Sequence, residues 1–298
     1  MQHRVTTAFF IALAMLPLAG CSASNDQAQN NPSPGAAQNA GDNNGANAAV
    51  NTPPIHVEQT VVMLKDGQPA VEQTYRQLLA KCSEGAPVQV KPLDPESVGK
   101  LGRTYLKIWY QGDSMAVRAD SWDYTMTQPA QGLGCLFQAT HQSNLSIIKR
   151  GEAINADLTA QTETRSPSQG IVRQAAAAAT SSDDSDDAKM RAAVAAQLQQ
   201  QGYGGLASQT AGSASALGQP CARTTNAVTG ESCTWSGGGQ WGFVTDDDVN
   251  DHTASPYTIL LWRNPPSGNG MQWTTQTMTV GNRFDNAVFE PPTGLSTK

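Results

Sequence analysis

Charged residues are scarce in this sequence, and basic residues are scarcer than acidic ones. Asp, Glu, Lys and Arg make up 15% of the 298 residues, and 25 acidic against 19 basic residues give a formal net charge of −6 at pH 7. Proteins that bind nucleic acids neutralise phosphates with Lys and Arg, and a basic surface likewise attracts anionic lipid headgroups. We therefore expect no nucleic-acid partner and no adhesion to a membrane through surface charge.

Motifs of known catalytic and metal chemistry are also missing. The chain has no G-x-S-x-G nucleophile elbow, no H-E-x-x-H zinc motif and no C-x-x-C, and its four histidines stand singly. We therefore expect no enzyme activity, no cofactor and no metal. Structural zinc on the cysteines and a hydrolase with an unrecognised site are the alternatives.

One acidic segment comes close to a cation-binding loop. Asp246, Asp248 and Asn250 have the alternate spacing of a calcium loop, but Asp251 stands where the loop glycine belongs and Tyr257 where the bidentate glutamate belongs. We interpret the segment as an exposed acidic loop, with calcium binding as the alternative.

Long apolar runs are missing except near residue 10, where the run is too short to cross a bilayer. Residues 8–18 are apolar and follow Arg4, whereas a spanning helix needs about 20 apolar residues. A basic residue before a short apolar stretch is typical of a secretory signal. The run ends in Leu18-Ala19-Gly20-Cys21, which resembles the lipobox of bacterial lipoproteins.

The lipobox resemblance implies a lipid anchor. Residues 1–20 would be removed as the signal peptide, and Cys21 would become the acylated first residue of the mature protein. Ser22 follows it, where an aspartate holds enterobacterial lipoproteins in the inner membrane. We therefore expect a protein of the cell envelope, anchored in the outer membrane and facing the periplasm. An ordinary signal peptide with an incidental cysteine is the alternative.

The chain after the lipobox divides into a tether and a body. Residues 21–54 consist largely of Asn, Ala, Gly, Gln, Ser and Pro without apolar periodicity, so they cannot bury enough apolar surface to offset the entropy of ordering. We expect a disordered tether there and a single domain over residues 55–298.

Four cysteines belong to the body, namely Cys82, Cys135, Cys221 and Cys233. An even number in an oxidising compartment predicts two disulfides, and three connectivities are possible. The stretch "CARTTNAVTGESC" has the pattern of a strand, a turn and a returning strand, which would bring Cys221 close to Cys233. We therefore expect the pairs Cys221–Cys233 and Cys82–Cys135.

Apolar periodicity predicts a mainly β body with one or two helices. Residues 55–64 are rich in β-branched side chains, and residues 105–110 alternate between apolar and polar types. Several short strands with polar breaks are predicted over residues 115–149. Between these strand patterns, a helical spacing of i, i+3, i+4 and i+7 holds for Tyr75, Leu78, Leu79 and Cys82.

The composition changes between about residues 165 and 219. An alanine run and an acidic run precede Met190, Val194 and Leu198, which fall on one face of a helix. We interpret the region as a flexible Ala/Asp-rich insertion that carries one helix.

Three stretches resemble segments of the LolA-like and DUF4412-type families of bacterial envelope proteins. They are "IWYQGDSMAVRAD", "LGQPCARTTNAVTGESCTW" and "DNAVFEPPTG". This resemblance implies an α+β, mainly β fold, in which a curved antiparallel sheet forms an open half-barrel with one or two packed helices.

The half-barrel resemblance also implies an apolar groove that holds a lipid or another amphipathic ligand. The expected lining residues are Leu106, Ile108, Met115, Val117, Leu261 and Met278, and an ordinary sheet–helix core built from them is the alternative. A non-catalytic binding or carrier module is the function that this implies. The alternative is a protein-interaction lipoprotein, such as an envelope assembly factor or an inhibitor of a periplasmic enzyme.

The lipid anchor is directly testable. Cys21→Ala removes the only expected acylation site while leaving the body untouched, so the variant should leave the membrane fraction and remain folded. Fractionation of cells followed by immunoblotting measures the first effect, and circular dichroism of the released protein measures the second. A variant that stays with the membranes would contradict the lipobox interpretation.

Overall fold

The computed structural model describes residues 51–84, 89–128, 134–173, 209–245 and 254–298. All of them belong to one compact unit, Gly45–Lys298. The lipobox with Cys21, the tether up to residue 50, the acidic loop at 246–251 and the predicted helix with Met190 lie outside the described residues. These remain predictions.

The described residues form fourteen strands and two α-helices. In chain order they are β1 (Ile55–Lys65), β2 (Gln68–Pro69), α1 (Ala70–Ser83), β3 (Gln89–Lys91), α2 (Pro95–Lys100), β4 (Arg103–Gln111), β5 (Ser114–Thr127), β6 (Gly134–Lys149), β7 (Glu152–Asp157), β8 (Thr162–Ser166), β9 (Gln209–Ala216), β10 (Gln219–Asn226), β11 (Gly230–Trp235), β12 (Leu260–Asn264), β13 (Gly270–Val280) and β14 (Ser296–Thr297).

The strands build one open sheet. Its order is β14-β8-β7-β6-β5-β4-β1-β13-β12-β11-β10-β9, with β2 paired to β1 and β3 paired to β6. All pairs are antiparallel except β14 with β8 and β3 with β6. This confirms the predicted α+β, mainly β fold with an open, curved antiparallel sheet and two helices. Neither described helix is long and apolar enough to cross a membrane.

Strands β5 and β6 are longer than the sequence predicted. Several short strands were predicted over residues 115–149, whereas the structure has two long strands that pair continuously from Met115–Ile148 to Thr127–Leu136. The polar residues that suggested breaks are instead matched across the hairpin, as Asp120 is with Ser143. A polar residue on the outward face of a strand does not end it, because successive side chains point to opposite faces.

The main core lies on one face of the central strands. Alternate residues of β1, β4 and β13 point into it, and aromatic residues from the loop after β11 complete it. Its most deeply buried members include Ile55, Val57, Ile108, Tyr110, Trp235, Ile259 and Leu261. Full burial of such side chains stabilises the fold by roughly 1.5–3 kcal/mol each.

Helix α1 matches the predicted helix closely. It covers the predicted spacing, begins after Pro69 and buries Tyr75. The Tyr75 hydroxyl accepts a hydrogen bond from the backbone N–H of Leu93 at 2.9 Å, so the buried phenol keeps a polar partner.

Both predicted disulfides are present. Cys82 of α1 is bonded to Cys135 of β6, with Cα atoms 6.2 Å apart. Cys221 of β10 is bonded to Cys233 of β11, with Cα atoms 5.5 Å apart. The first bond ties the helix to the long hairpin, and the second joins two neighbouring strands.

The two ends of the predicted insertion are part of the sheet. The last two residues of β8 and all of β9 fall between residues 165 and 219, and β9 pairs with β10 from Ala216–Gln219 to Gln209–Thr225. The range that could form an insertion is therefore shorter than the composition alone suggested.

The glycine-rich stretch after β11 packs on an indole ring. Trp235 is buried, and its Nε1 donates a hydrogen bond to Gln219 at 3.2 Å. A Cβ atom on Gly237 would lie 2.7 Å from that Nε1, and one on Gly238 would lie 2.8 Å from Cε3 of the ring. The glycines are needed here because the loop backbone approaches the ring directly.

Gly238→Ala should therefore destabilise the body. Its φ of −93° suits any residue, so the expected effect is steric alone: the new methyl group would meet Trp235 and also the Cβ of Phe243 at 2.9 Å. Overpacking of this kind costs about 1–3 kcal/mol, measurable by urea unfolding monitored by tryptophan fluorescence.

Gly239→Ala is the matched control. A Cβ atom on Gly239 meets nothing within 4 Å, so its free energy of unfolding should change by less than about 0.5 kcal/mol. Equal effects of the two substitutions would contradict the packing explanation.

Candidate binding face

The six predicted groove residues lie together in the main core cluster. Leu106, Ile108, Met115 and Leu261 are buried, and Val117 and Met278 pack against them partly buried. They share one face of β4, β5, β12 and β13, as the alternation predicted, and Trp235, Phe243 and Trp273 belong to the same packed cluster. The predicted lining role is not supported by this packing, since these side chains contact one another.

The space left beside this cluster is very small. A cavity of about 10 Å³ is lined by Gln59, Ile108, Tyr110, Trp273 and residues of the segment 254–260. That volume suffices for about one water molecule. This cavity therefore has no room for an acyl chain.

The opposite face of the central strands carries charged and aromatic side chains instead. We call it the charged–aromatic face and define it by Glu58 of β1, Tyr105 and Lys107 of β4, Arg118, Asp120 and Trp122 of β5, and His141 of β6. Strand alternation puts Glu58, Tyr105 and Lys107 on this face, because each stands next to a buried core residue of its strand. The strand register then aligns the residues of β5 and β6 with them.

The strand register fixes three rows on this face. Glu58, Lys107 and Arg118 stand directly opposite one another on three adjacent strands. Tyr105 stands opposite Asp120 in the next row, and Trp122 opposite His141 in the third. Adjacent strands lie about 4.8 Å apart, so the three rows form one continuous surface.

Asp120 is the centre of the charge network. Its carboxylate accepts hydrogen bonds from Nε of Arg118 and Nε2 of His141, each at 3.0 Å. Burial raises the pKa of the Asp120 carboxyl, but Ser143, Arg118 and His141 together outweigh that effect, so its pKa lies below the ordinary value. Asp120 is therefore a fixed negative charge at neutral pH.

Trp122 is held by contacts on several sides. The His141 ring stacks on it with centroids 4.5 Å apart, Tyr105 meets it edge-on at 5.4 Å, and the Lys100 ammonium lies 5.5 Å from its ring centroid. Stacked and edge-on aromatic pairs with a nearby cation orient an indole well. The Trp122 ring is thus held in position by its neighbours.

A second ion pair extends the face towards β1. Lys107 lies 3.5 Å from the Glu58 carboxylate, and the Nε2 of His56 lies 3.8 Å from the same group. The His56 ring stacks on Trp109 with centroids 5.3 Å apart and planes 13° from parallel. The face therefore carries balanced charges of both signs, interleaved with rings.

Two segments cover the sheet at either end of this face. Tyr75 of α1 packs edge-on against Tyr124 of β5, with centroids 5.5 Å apart. At the other end, Phe289 of the carboxyl-terminal segment packs in a cluster with Ile147 of β6. Between these covers Lys107, Arg118 and His141 are exposed to solvent.

The arrangement does not support nucleophilic catalysis. An aspartate, a histidine and a serine are neighbours in Asp120, His141 and Ser143, but the Ser143 hydroxyl makes no hydrogen bond to the imidazole. A catalytic serine must hydrogen-bond to the base that takes its proton. Within the described ranges, moreover, no three His, Cys, Asp or Glu side chains are placed to hold a metal ion.

Comparison with known proteins adds no assignment. No family model matches the chain, and no curated protein matches it. The resemblance to LolA-like and DUF4412-type proteins therefore remains an expectation.

The residues of the charged–aromatic face were missed by the sequence interpretation. Their types alternate correctly along β4 and β5, so each strand was recognisable, but the register between neighbouring strands was not. The pairing of Trp122 with His141 depends on the hairpin register, which the predicted breaks in β5 and β6 concealed.

The environment of His56 predicts a pH-dependent stability. Burial lowers the pKa of His56 and the Lys107 charge lowers it further, against the opposing effect of Glu58. The unfolded chain, with an ordinary His pKa of about 6.5, then takes up a proton more readily than the folded one. The stability contributed by neutral His56 is therefore complete above about pH 6.5 and is lost as the pH falls through the lower folded value.

Comparison of wild type with His56→Gln tests this. The free energy of unfolding, measured by urea titration from pH 7 to pH 5, should fall less steeply in the variant than in the wild type. The slopes are compared rather than the absolute values, because the variant also loses the stack on Trp109. Parallel slopes would show that His56 does not titrate in this way.

Proposed function

We propose that the protein is a membrane-anchored lipoprotein of a bacterial cell envelope that acts without catalysis, as a docking module for another envelope protein. The charged–aromatic face is the observation that carries this proposal. In it, Trp122 and Arg118 lie on a rigid sheet, held by neighbours and partly open to solvent.

The residue types of the face favour a protein partner. Trp, Tyr and Arg are the residue types that contribute most of the binding energy in protein interfaces. Interleaved ion pairs such as Glu58–Lys107 and Arg118–Asp120 offer charges of both signs. A partner with the complementary pattern would be selected by electrostatic matching rather than by net attraction.

The two disulfides and the lipobox support the proposed location. Disulfides persist in oxidising compartments such as the periplasm, and both cysteine pairs of the body are at bonding distance. A lipid on Cys21 would supply the membrane as a constant partner, and the tether would let the face reach a second protein.

The lipid-carrier function implied by the half-barrel resemblance receives less support. It requires a groove for an acyl chain, and the residues expected to line that groove are packed against Trp235 and Trp273 in the core. The docking function requires only the exposed face.

Photo-crosslinking in intact envelopes tests the docking proposal. A photoreactive amino acid at position 118, on the face, should give a discrete crosslinked product with another protein. The same amino acid at position 150 is the matched control, because Arg150 is also an exposed arginine paired with one aspartate, Asp113. Equal crosslinking at both positions, or none at position 118, would contradict the proposal.

Affinity for the crosslinked partner gives a second measurement. Arg118→Ala should weaken binding by about 2 kcal/mol, roughly thirtyfold, if the arginine is an interface hot spot. Arg150→Ala should leave the affinity unchanged. Unchanged binding by Arg118→Ala would place the interface elsewhere on the molecule.

A further inference from the structure

The charged–aromatic face is bordered on one side by a wall of helices. Tyr124 lies two residues after Trp122 on β5, so both side chains point to the same face of the sheet. Tyr75 of α1 packs edge-on against Tyr124, and α2 also contacts β5. Helix α1 contacts β1 and β6 as well. The two helices therefore project from the sheet along one side of the face, across all the strands between β1 and β6.

The opposite border is the carboxyl-terminal strap, which we define as residues 281–298. Ala116 lies two residues before Arg118 on β5 and therefore points to the same face. Phe289 of the strap packs in one cluster with Ala116. The strap begins where β13 ends and finishes at β14, which pairs with β8. Since β13 and β8 lie on either side of the central strands, the strap crosses the sheet and forms a second wall.

The floor between the two walls has the width of a single α-helix. Arg118 and Trp122 mark its two sides and are four residues apart on β5, which corresponds to about 13 Å. A helix with its side chains is about 10–12 Å across. The floor runs across four strands through one row of directly opposite residues, which are Thr277, Glu58, Lys107 and Arg118. Three strand spacings make this row about 14 Å long. We call the floor and its walls the trough.

The walls restrict which elements of a partner can reach the floor. The flat surface of a globular protein, or of a second copy of this chain, would meet the walls first. Every floor strand is already paired on both sides within the sheet, so an extended segment on the floor would leave its own backbone groups unpaired. A helix satisfies its backbone internally and presents only side chains. It must lie across the strands, because along them it would meet a wall within about nine residues.

Two neighbouring cations on the floor indicate the charge of the occupant. Lys107 and Arg118 stand directly opposite each other on β4 and β5, and their side chains are 53% and 47% exposed. Like charges in such a cross-strand pair are unfavourable. Their carboxylate partners stand elsewhere, since Glu58 lies on the far side of Lys107 and Asp120 lies in the next row. A carboxylate from a partner, placed above both cations, would compensate them.

We propose that the docking element of the partner is an α-helix that lies across the strands in the trough, with an acidic residue above Lys107 and Arg118. This inference rests on the proposed docking function and specifies the element that occupies the face. One strand spacing corresponds to about three helical residues. Side chains three or four residues apart on one face of the helix would therefore contact successive strands, which is the spacing by which grooves recognise helices.

Photo-crosslinking from the two ends of the row tests the helix. In intact envelopes containing the full chain, a photoreactive amino acid replaces Arg118 in one sample and the exposed Thr277 in another. The crosslinked partner residues are then mapped by mass spectrometry. The two positions are about 14 Å apart, so a helix should be crosslinked at residues about ten apart and an extended segment at residues about four apart. Thr164, an exposed threonine of β8 outside the trough, is the matched control for position 277 and should give no product with this partner.

The outcomes separate the helix from the docking function. Crosslinks about four residues apart, crosslinks to unconnected segments, a product at position 118 without one at 277, or crosslinks within the protein's own chain would each overturn the helix. If position 118 still captures a partner, the docking function stands without the helix. Absence of any partner product at position 118 contradicts the docking function and the helix together.

Charge reversal tests the acidic residue of the helix. Lys107→Glu should weaken the affinity for the crosslinked partner at least about tenfold, because it places two carboxylates against each other. Changing the crosslinked acidic residue of the partner to Lys should restore most of that loss. Lys107→Gln should give a smaller loss, and it replaces Lys107→Glu as the test if that variant does not fold.

Lys65→Glu is the matched control for the charge reversal. Lys65 is also an exposed strand lysine, but it lies seven residues from Glu58 on β1, about 23 Å along the strand. Its reversal should leave the affinity unchanged. Equal affinities of wild type and the Lys107 variants, or equal losses with Lys107→Glu and Lys65→Glu, would overturn the placement of an acidic residue above Lys107 and Arg118.

Discussion

The fold depends on the pairing of strand β1 with two partners that are distant from each other in the chain. β1 pairs with β4 on one side, from Ile55–Tyr110 to Val62–Arg103, and with β13 on the other, from Ile55–Val280 to Leu64–Gly270. It thus joins the half of the sheet that runs from β4 to β8 to the half that runs from β9 to β13. Strand β1 can complete its pairing only when both β4 and β13 are in place, so completion of the open sheet depends on contacts of high sequence separation.

The same strand determines both the core and the candidate site. Ile55, Val57 and Val61 point into the core, and the alternate residues His56 and Glu58 point to the opposite face. A register slip of one residue would exchange these two sets and bury charge. Gln59 reinforces the register from the core side, because its amide donates to the Leu260 carbonyl at 2.7 Å and to Thr275 at 3.1 Å. Packing on the core face of β1 therefore also fixes the positions of the polar side chains on the opposite face.

Local sequence patterns predicted the presence of helices and strands better than the residues at which the strands begin and end. The helical spacing around Tyr75 and the β-branched run of β1 were recognisable because each depends on side chains that are near neighbours in sequence. Both disulfides were also predictable, since a hairpin brings Cys221 near Cys233 and leaves one partner for Cys82.

The long hairpin β5–β6 was predicted as several shorter strands, because the residue that pairs with Asp120 lies on the opposite strand and is distant in sequence. The groove residues were assigned to one face, but the choice between a groove and a packed core stayed open in the sequence, since Trp235 and Phe243 come from a distant segment.

The sequence alone determined the classes of residue available: few charges, paired cysteines, no catalytic motif, and strands with two chemically different faces. Those properties follow from composition and from periodicity along a single element. Only the tertiary structure decided which strands are neighbours, and hence that Trp122 meets His141 and that Arg173 is buried between Phe243 and Tyr110. Such contacts join residues on different strands and loops, and their geometry depends on register and packing across the whole sheet, which no local pattern encodes.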